Sequence, residues 1–276
     1  MTDKLKQVLQ NTLAARPMVH SITNNVTMND CANIILAAGG TAIMAQDERE
    51  AEEITAHCDA LVLNMGALRA QEAMLLAARE AKRLGHPIVL DPVAAGASRL
   101  RSEMCARLLE DRLVTVIRGN ASEIRALAAG GAHAAGVETS ALDRVTEQNL
   151  AESAAWLADF SRKTGTVIML TGQIDLISDG TRTAVLRGGS ALMGRITGAG
   201  CMLTSLTAVY CGANPNTIFE AAAAASEVMK RCGELAERRV REEMEGTASF
   251  RTRLIDAVSL LTADNLAEGL HIELLR

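Results

Sequence analysis

The chain has 276 residues, of which 49% are hydrophobic and 22% are charged. This length fits one or two domains, and the composition excludes disordered, collagen-like and low-complexity proteins. Aromatic residues make up only 2% of the chain, too few for the rows of rings that stack on single-stranded nucleic acid. The net charge of −5 supplies no general field for nucleic acid or an anionic membrane. We therefore expect neither as a partner, and any polyanion must be held locally.

The N-terminal segment, MTDKLKQVLQNTLAARP, carries polar and charged residues where a signal peptide needs an apolar stretch. The apolar runs of the sequence are far shorter than the roughly 18 residues that span a bilayer. Six cysteines are scattered without close pairs, which fits neither a disulfide framework nor a zinc site. We expect a cytoplasmic protein.

The first two-thirds of the chain alternates short β-branched or leucine-rich runs with alanine- and leucine-rich helical patterns. Such alternation predicts parallel strands joined by crossover helices. The predicted strands cover residues 17–23, 41–45, 60–64, 87–91, 115–118 and 166–171. Several are apolar at consecutive positions, as expected when helices cover both faces of a sheet. The predicted fold class is α/β, with a mostly parallel central sheet flanked by helices on both faces.

The pattern changes after the sixth predicted strand. Asp179 and Gly180, flanked by β-type runs, predict a hairpin of antiparallel strands at one edge of the sheet. From Gly200 onward we expect no further strands, and helices over residues 199–211, 219–239 and 254–261. Neither a linker-like stretch nor a repeat divides the sequence, so residues 1–276 are predicted to form one domain.

The segment ITGAGC, residues 196–201, leads directly into one of the predicted helices. Gly198 and Gly200 let backbone N–H groups turn toward one point, where the positive end of the helix dipole adds to them. This predicts an anion hole, although a tight turn into a helix explains the glycine pair nearly as often. Cys201 lies in the first helical turn, where the dipole is expected to lower the thiol pKa. It is either a base or polar partner for a substrate hydroxyl, or a small buried residue.

Further polar residues stand where an α/β sheet usually binds its ligand, beyond the carboxyl ends of its strands. Asn120 is a predicted helix cap, and Glu123 either completes a capping box or holds a Mg²⁺ that bridges nucleotide phosphates. Arg118, at the end of its strand, is expected to face the same anions. Asp91 is either a turn residue or a carboxylate that positions metal or a hydroxyl. Thr171 suits a phosphate or ribose, or simple turn chemistry.

Together these segments resemble the hydroxyethylthiazole kinases of the ribokinase-like superfamily over essentially the whole chain. The resemblance rests on six segments in the family's order: RPMVHSITNNVTMNDCANIILAAGGTAIM, LVLNMGAL, PIVLDPVAAGAS, VIRGNASEI, MLTGQID and ITGAGC. The first is long and specific, whereas GAG before a helix is shared across the superfamily. The superfamily usually has Asp after the last glycine. Cys201 stands there in this chain, a departure that the thiazole kinases themselves show.

The resemblance implies a ribokinase-like fold and a kinase of thiamine biosynthesis or salvage. ATP would donate its γ-phosphoryl group, with Mg²⁺, to the primary alcohol of 4-methyl-5-(2-hydroxyethyl)thiazole. The family also assembles as a homotrimer with sites near subunit boundaries. The implied site residues are Met44, Gly198, Asn25, Val26, Met65 and Gly66 for the thiazole, Arg118 and Thr171 for ATP, Asp91 and Glu123 near the metal, and Cys201, Gly198 and Gly200 for catalysis.

Three alternatives stay open from the sequence. The nearest is another ribokinase-like small-alcohol kinase, acting on a hydroxymethylpyrimidine or a vitamin B6 compound. A non-catalytic nucleotide-binding regulator of the same fold is expected to lack Gly198, Gly200 or Glu123, and all three are present. A hydro-lyase acting on a damaged nicotinamide cofactor would leave the thiazole-type N-terminal segment unexplained.

Overall fold

A computed structural model describes residues 1–130, 144–267 and 271–275 of the chain. Its strands are β1 (Met18–Ile22), β2 (Thr41–Ile43), β3 (Ala60–Asn64), β4 (Ile88–Asp91), β5 (Val116–Asn120), β6 (Val167–Thr171), β7 (Asp175–Ser178), β8 (Thr183–Leu186) and β9 (Ile272–Leu275). They form one sheet in the order β2-β1-β3-β4-β5-β6-β7-β8-β9. The pairs from β2 to β6 are parallel, and the pairs from β6 to β9 are antiparallel. The predicted mostly parallel sheet is confirmed.

The described residues also form helices between and after the strands. These are α1 (Thr2–Ala15), α2 (Met28–Ala37), α3 (Ala51–Ala56), α4 (Gln71–Leu84), α5 (Arg99–Glu110), α6 (Ala121–Ala128), α7 (Leu150–Thr164), α8 (Ala199–Ala213), α9 (Ile218–Glu242), α10 (Thr247–Leu260) and α11 (Ala263–Ala267). Within the described ranges, no helix has the length and apolar character needed to cross a membrane.

The sheet is buried on both faces, as its apolar strands predict. Along β3, Val62 belongs to a core shared with α1, α2, α8, α9 and α10. Its neighbours Leu61 and Leu63 belong to the opposite core, shared with α4, α5 and α7. Successive side chains of a strand point to opposite faces, so a continuous apolar run fills both cores. The predicted helical layers on the two faces are confirmed.

The antiparallel edge is confirmed in part and corrected in part. The hairpin of β7 and β8 turns where predicted, with Gly180 at φ +86°, a conformation that favours glycine. The expectation that strands stop after Gly200 is wrong, because β9 pairs antiparallel with β8. This strand is short and half-exposed at the sheet edge, so backbone pairing with β8 defines it and its sequence carries no strong apolar alternation.

The last predicted helix is also longer than its sequence pattern indicates. Instead of starting at Leu254, α10 begins at Thr247 and extends to Leu260. Its first turns are polar in sequence, but Phe250 is fully buried against the core of the same face. Tertiary packing of one aromatic side chain therefore extends a helix that local propensity leaves undefined.

Parallel strands place the candidate site residues together. The carboxyl ends of β1, β3, β4, β5 and β6 open at one edge of the sheet, because neighbouring parallel strands share their direction. Helix α8 packs along β1, β3 and β4. Gly200 and Cys201, in its first turn, contact side chains from the ends of these strands and of β5.

Candidate active site

The first turn of α8 has the glycine geometry that the sequence predicts for an anion hole. Gly198 is the residue that caps this helix, with φ +85°, and an added Cβ would lie 2.8 Å from Thr27 Cγ2. Both the backbone conformation and the space therefore require glycine. The first N–H groups of a helix have no intrahelical partner, and no side chain in the described residues caps them here. They remain available to an anion at the positive end of the helix dipole.

Arg118 lies directly over this helix terminus. A Cβ added to Gly200 would contact the Arg118 guanidinium, so only glycine lets the arginine approach so closely. The guanidinium donates from Nη2 to Thr171 Oγ1 at 2.7 Å, and Nη1 lies 3.9 Å from Asp91 Oδ1. A positive side chain beside the positive end of a helix is unfavourable alone and favourable once an anion lies between them. The predicted placement of Arg118 and Thr171 at one anion site is thus geometrically consistent.

Next to the helix terminus, a fully buried Asn64 joins several of the candidate residues. Its Nδ2 group donates to Asp91 Oδ2 at 3.0 Å and to Cys201 Sγ at 3.3 Å. Its Oδ1 atom accepts from Gly66 N at 2.9 Å and from Asn24 Nδ2 at 3.2 Å. Both amide hydrogens and the carbonyl oxygen of this side chain are in use, which fixes its orientation.

Asn24 extends the same network from the segment after β1. Its Oδ1 atom accepts from the backbone N–H groups of Val26 and Thr27, both at 3.1 Å. Its Nδ2 group donates to Asn64 and, at 3.5 Å, to Cys201 Sγ. An added Cβ on Gly66 would lie 2.7 Å from Asn24 Cβ, so glycine is needed for this approach. We call Asn24 and Asn64 the amide pair.

The expected activation of Cys201 as a thiolate is not found. Burial raises the pKa of the Cys201 thiol, and the nearby charge of Asp91 raises it further. Hydrogen bonds from Thr27 and Asn64 oppose this shift without reversing it. The net direction of this pKa shift is upward, opposite to the lowering expected from the helix dipole, and burial is its largest cause. Cys201 is a neutral thiol that accepts hydrogen bonds from the amide pair.

Asp91 ends β4 with its carboxylate only 1% exposed. One oxygen, Oδ2, accepts from Asn64 and from Thr204 Oγ1 at 2.9 Å. The other, Oδ1, has no hydrogen-bond partner among the described residues. Burial raises the pKa of Asp91, and the Arg118 guanidinium opposes that shift. A buried carboxylate oxygen without a partner is costly and suits a cation or a bound hydroxyl.

Glu123 completes the capping box that its spacing predicts. Asn120 Oδ1 accepts from Glu123 N at 3.0 Å, and Glu123 Oε2 accepts from Asn120 N at 2.9 Å. Glu123 Oε1 also accepts from Ala94 N at 3.1 Å. Both oxygens thus already hold a backbone N–H group. The carboxylate is nevertheless close enough for its charge to raise the pKa of Asp91.

A cleft of about 1150 Å³ opens beside Arg118, Thr171 and Gly200. It lies at the ends of β5, β6 and β8, and α8 and α9 contribute to its wall. Its apolar wall includes Ile174, Met193, Leu203 and Met229. At its floor, the buried Lys230 of α9 pairs with Asp175 at 3.3 Å. This is a large cavity for a ligand site, and it extends from the α8 terminus.

The residues implied for the thiazole are more dispersed. Asn25 and Val26 are exposed, with Val26 at 76%, beside the amide pair. Gly66 touches the amide pair directly. The side chain of Met65 is buried in the core on the opposite face of the sheet, so only its backbone faces the site region. The expectation that Met65 lines the substrate side stays a prediction, and with its side chain in this core it would involve the backbone.

Met44 is half-buried directly after the edge strand β2, in a segment that polar contacts hold in place. His20 Nε2 donates to the carbonyl of Ala45 at 3.0 Å, and His20 Nδ1 lies 2.8 Å from Thr55 Oγ1. Gln46 Nε2 donates to the carbonyl of Thr23, which follows β1. This segment is thereby attached to the end of β1, near the amide pair.

Sequence reasoning missed the amide pair and Lys230. Asn64 ends a predicted strand just as Asp91 does, so the same rule that singled out Asp91 also identifies it. Asn24 immediately precedes Asn25, and only the chain's path after β1 shows which of the two points inward. Lys230 lies in an alanine-rich helix that the sequence assigns to packing. Residues 221–225 are indeed fully buried, and the sequence does not distinguish Lys230 from the other charged residues of this helix, such as Glu227 and Arg231.

Known structures of the same shape include a ribokinase-like superfamily protein from Enterococcus faecalis. That structure has a TM-score of 0.60 at 12% identity, and the match covers 94% of this chain and 95% of that one. Pyridoxal kinase from Staphylococcus aureus has a TM-score of 0.58 at 16% identity, covering 79% and 87%. These similarities show the fold alone. The chain has a ribokinase-like α/β fold, and its candidate site includes the N-terminus of α8.

More similar proteins define the family. The sequence pattern of the hydroxyethylthiazole kinase family matches residues 9–264. A hydroxyethylthiazole kinase from Clostridium acetobutylicum is 44% identical over 271 residues, covering 98% of this chain and 99% of the relative. The structure of a hydroxyethylthiazole kinase from Pyrococcus horikoshii has a TM-score of 0.85 at 32% identity, covering 99% of both chains. The chain belongs to the hydroxyethylthiazole kinase family, and the resemblance read from its motifs is confirmed.

Proposed function

We propose that this chain transfers the γ-phosphoryl group of ATP to the primary alcohol of 4-methyl-5-(2-hydroxyethyl)thiazole, in thiamine biosynthesis or salvage. Family membership supports the substrate. The observation that carries the chemistry is the position of the α8 terminus. It stands between a cleft large enough for a nucleotide and a partly buried thiol held by two amides. A phosphoryl group bound at this terminus would contact backbone N–H donors on one side and the acceptor alcohol on the other.

Arg118 and Thr171 are the proposed ATP contacts. Their side chains already bond each other at the mouth of the α8 terminus. The N–H groups of the first helical turn, from Gly198 to Cys201, would hold the transferred phosphoryl group. The transition state of phosphoryl transfer is loose, so positioning and charge neutralisation supply most of the catalysis. Fixed backbone donors and one guanidinium meet that requirement without reorganisation.

Mg²⁺ fits the acidic residues of this site. The ion commonly takes one or two carboxylates and fills its remaining positions with water and phosphate. Asp91 offers an oxygen without a partner, which suits direct or water-mediated binding. Glu123 already accepts two backbone hydrogen bonds, one on each carboxylate oxygen, so it suits an outer position through water. When bound, the ion neutralises charge on the β- and γ-phosphate oxygens.

Cys201 is proposed to orient the acceptor hydroxyl. Two amide N–H groups donate to its sulfur, so the thiol hydrogen is directed elsewhere and can bond the substrate oxygen. A strong base is unnecessary in a loose transition state, which makes a neutral thiol adequate. Cys201, Gly198 and Gly200 are thus the proposed catalytic positions.

The thiazole ring is proposed to lie against Met44, Asn25, Val26, Gly198, Gly66 and the backbone of Met65. The exposure of Val26 leaves an apolar side chain at the edge of this region. An apolar ligand or a second copy of the chain would cover it. A homotrimer with sites near subunit boundaries, each protomer one domain over residues 1–276, is part of the proposal.

The test is coupled ADP release with three alcohols at equal concentration: the thiazole, a hydroxymethylpyrimidine and pyridoxine. We expect the highest kcat/KM with the thiazole and loss of activity when Mg²⁺ is removed by a chelator. Equal or greater activity on the pyrimidine or pyridoxine would contradict the assigned substrate. Binding of ATP without ADP release on any alcohol would favour a regulator of the same fold. A Lys82→Met variant, which changes an exposed residue of α4, is the control for effects of substitution and purification.

A further inference from the structure

Lys230 is an ammonium group buried within the wall of the nucleotide cleft. Its side chain is only 4% exposed, and its Nζ atom meets three oxygens. It donates to the carbonyl of Gln173 at 3.2 Å and to the carbonyl of Gly188 at 3.3 Å, and Asp175 Oδ1 lies at 3.3 Å. An ammonium has three hydrogens, and each has an acceptor here. None remains for a phosphate.

The three oxygens belong to two separate walls of the cleft. Gln173 lies in the turn that follows β6 and Thr171, the proposed ATP contact, and Asp175 begins β7 directly after that turn. Gly188 follows β8, at the start of the segment that leads to Gly198 and the α8 terminus. Lys230 is therefore a direct link, across the cleft floor, between the Thr171 turn and the chain entering the anion hole.

The partners of Lys230 are themselves fixed. Asp175 Oδ1 accepts from Gly172 N at 2.8 Å, and its Oδ2 accepts from Ser226 Oγ at 2.6 Å. On the other wall, Gly189 has φ +89°, and an added Cβ would lie 3.3 Å from Lys230 Cγ. Gly189 N also donates to Glu234 Oε1 at 2.8 Å. The lysine stem and its ammonium thus hold both walls against the same helix, α9.

We propose that Lys230 is a positioning residue for the nucleotide, which fixes the spacing of the two cleft walls without touching ATP. The proposal rests on the nucleotide part of the proposed function. Apolar residues fill helix faces at lower cost, because a buried charge is unfavourable unless well paired. The Lys230 ammonium joins two loops that carry proposed ATP-binding groups. Without it, the distance between these loops is no longer fixed. Misplacement of binding groups by a fraction of an ångström is costly in phosphoryl transfer.

The experiment measures the Kd for ATP by calorimetry and steady-state kinetics with the thiazole alcohol, in the full-length chain. Lys230→Met keeps the unbranched stem and removes the ammonium. We expect the Kd and KM for ATP to rise about tenfold or more, with the KM for the alcohol unchanged. Lys82→Met, on exposed α4, is the matched control and should leave both values unchanged. An ATP Kd within about twofold of wild type in folded Lys230→Met would overturn the proposal.

Two further variants separate positioning from folding. Lys230→Met leaves the Asp175 charge buried, so the pair Asp175→Asn with Lys230→Met removes both charges and is expected to fold with the same weakened ATP binding. Lys230→Ala should regain ATP affinity with propylammonium chloride, which replaces the deleted atoms. Tetramethylammonium chloride at equal ionic strength should not restore it, because it cannot donate hydrogen bonds. Equal effects of both salts, or equal increases in both KM values, would show a merely structural role.

Failure of the proposed function gives a different result. If the wild-type chain binds ATP but does not phosphorylate the thiazole alcohol, the acceptor assignment fails, while the Kd comparison still decides the role of Lys230. If wild-type and Lys230→Met bind ATP equally, the role of Lys230 fails whatever the acceptor.

Discussion

The two halves of the candidate site are built in different ways. The alcohol side consists of the amide pair, Asp91 and Cys201, whose buried or partly buried side chains bond one another directly. The nucleotide side consists of Arg118, Thr171, Lys230 and the cleft. There the groups around an open space of about 1150 Å³ include the backbone N–H donors of the α8 terminus and the Arg118 guanidinium, with Arg144 and Arg187 also in the lining.

This difference follows from what each side has to hold. A small alcohol offers few atoms, so its hydroxyl must be oriented by side chains that are themselves fixed. A triphosphate offers many oxygens, so a helix terminus and a cation bind it without a dense side-chain network. We therefore expect substitutions on the two sides to affect the KM values of different substrates.

Gly198→Val should have the largest effect, because it acts where the two sides meet. The side chain would need φ +85° and would clash with Thr27, displacing the first turn of α8. We expect activity to fall by about 10³-fold or more, measured by ADP release. Gly246→Val is the matched control, since φ there is −103° and an added Cβ meets nothing within 4 Å. Substantial activity in folded Gly198→Val would argue against phosphoryl binding at this terminus.

Arg118→Met should affect the nucleotide side selectively. The variant loses the charge over Gly200 and the hydrogen bond to Thr171, so kcat/KM for ATP should fall about 10²- to 10³-fold. Arg118→Lys should recover little, because an ammonium lacks the planar fork that reaches both neighbours. Steady-state kinetics with each substrate varied in turn provides the measurement. A loss confined to the KM for the alcohol would reverse the assignment of the two sides.

Asn64→Ala should affect the alcohol side, with a smaller loss. It removes the donor to Cys201 and leaves Gly66 N and one Asp91 bond without their partner. We expect a rise of about 10- to 100-fold in the KM for the alcohol and a loss of about 1–3 kcal/mol in the free energy of unfolding. Kinetics and urea unfolding measure the two effects. Asn33→Ala, at an exposed position of α2, is the control, and an unchanged alcohol KM in Asn64→Ala would remove the amide pair from the proposed mechanism.

One buried group near each side should make the free energy of unfolding depend on pH, and the two dependences should have opposite signs. Burial lowers the pKa of His20, which supports the Met44 segment, below 6.5. The unfolded chain then binds more protons near that pH, so this group makes the free energy of unfolding fall on acidification. Burial raises the pKa of Glu227, on α9 behind the cleft, from 4.5 to about 7. The folded chain then binds more protons, so this group makes the free energy of unfolding fall as pH rises from about 4.5 to 7.

Glu227→Gln removes the contribution of Glu227 to the pH dependence of the free energy of unfolding. At pH 8 we expect the variant to be more stable than wild type by about 2 kcal/mol, with the difference vanishing near pH 4.5. Urea unfolding across this pH range makes the measurement, with Glu72→Gln on exposed α4 as the control. A stability difference that does not change with pH would mean that Glu227 does not titrate in this window.

The sheet and the capping box could be predicted from sequence because their signals are local. Consecutive apolar residues define the parallel strands, and Asn120 and Glu123 form the capping box that their spacing indicates. The features that were not predicted correctly depend on tertiary surroundings. Burial by distant segments decided the pKa of Cys201, pairing with β8 created β9, and the loops brought to Lys230 lie 42 to 57 residues away in sequence.

The central claim is that Cys201 acts as a hydrogen-bonding partner of the acceptor hydroxyl. The most direct test is the kcat for thiazole phosphorylation by Cys201→Asp, with folding verified by thermal unfolding. A carboxylate at this position accepts the same two amide hydrogens and can still bond the hydroxyl. The account predicts a kcat equal to or higher than that of wild type. A folded Cys201→Asp protein that binds ATP but transfers no phosphoryl group would contradict it.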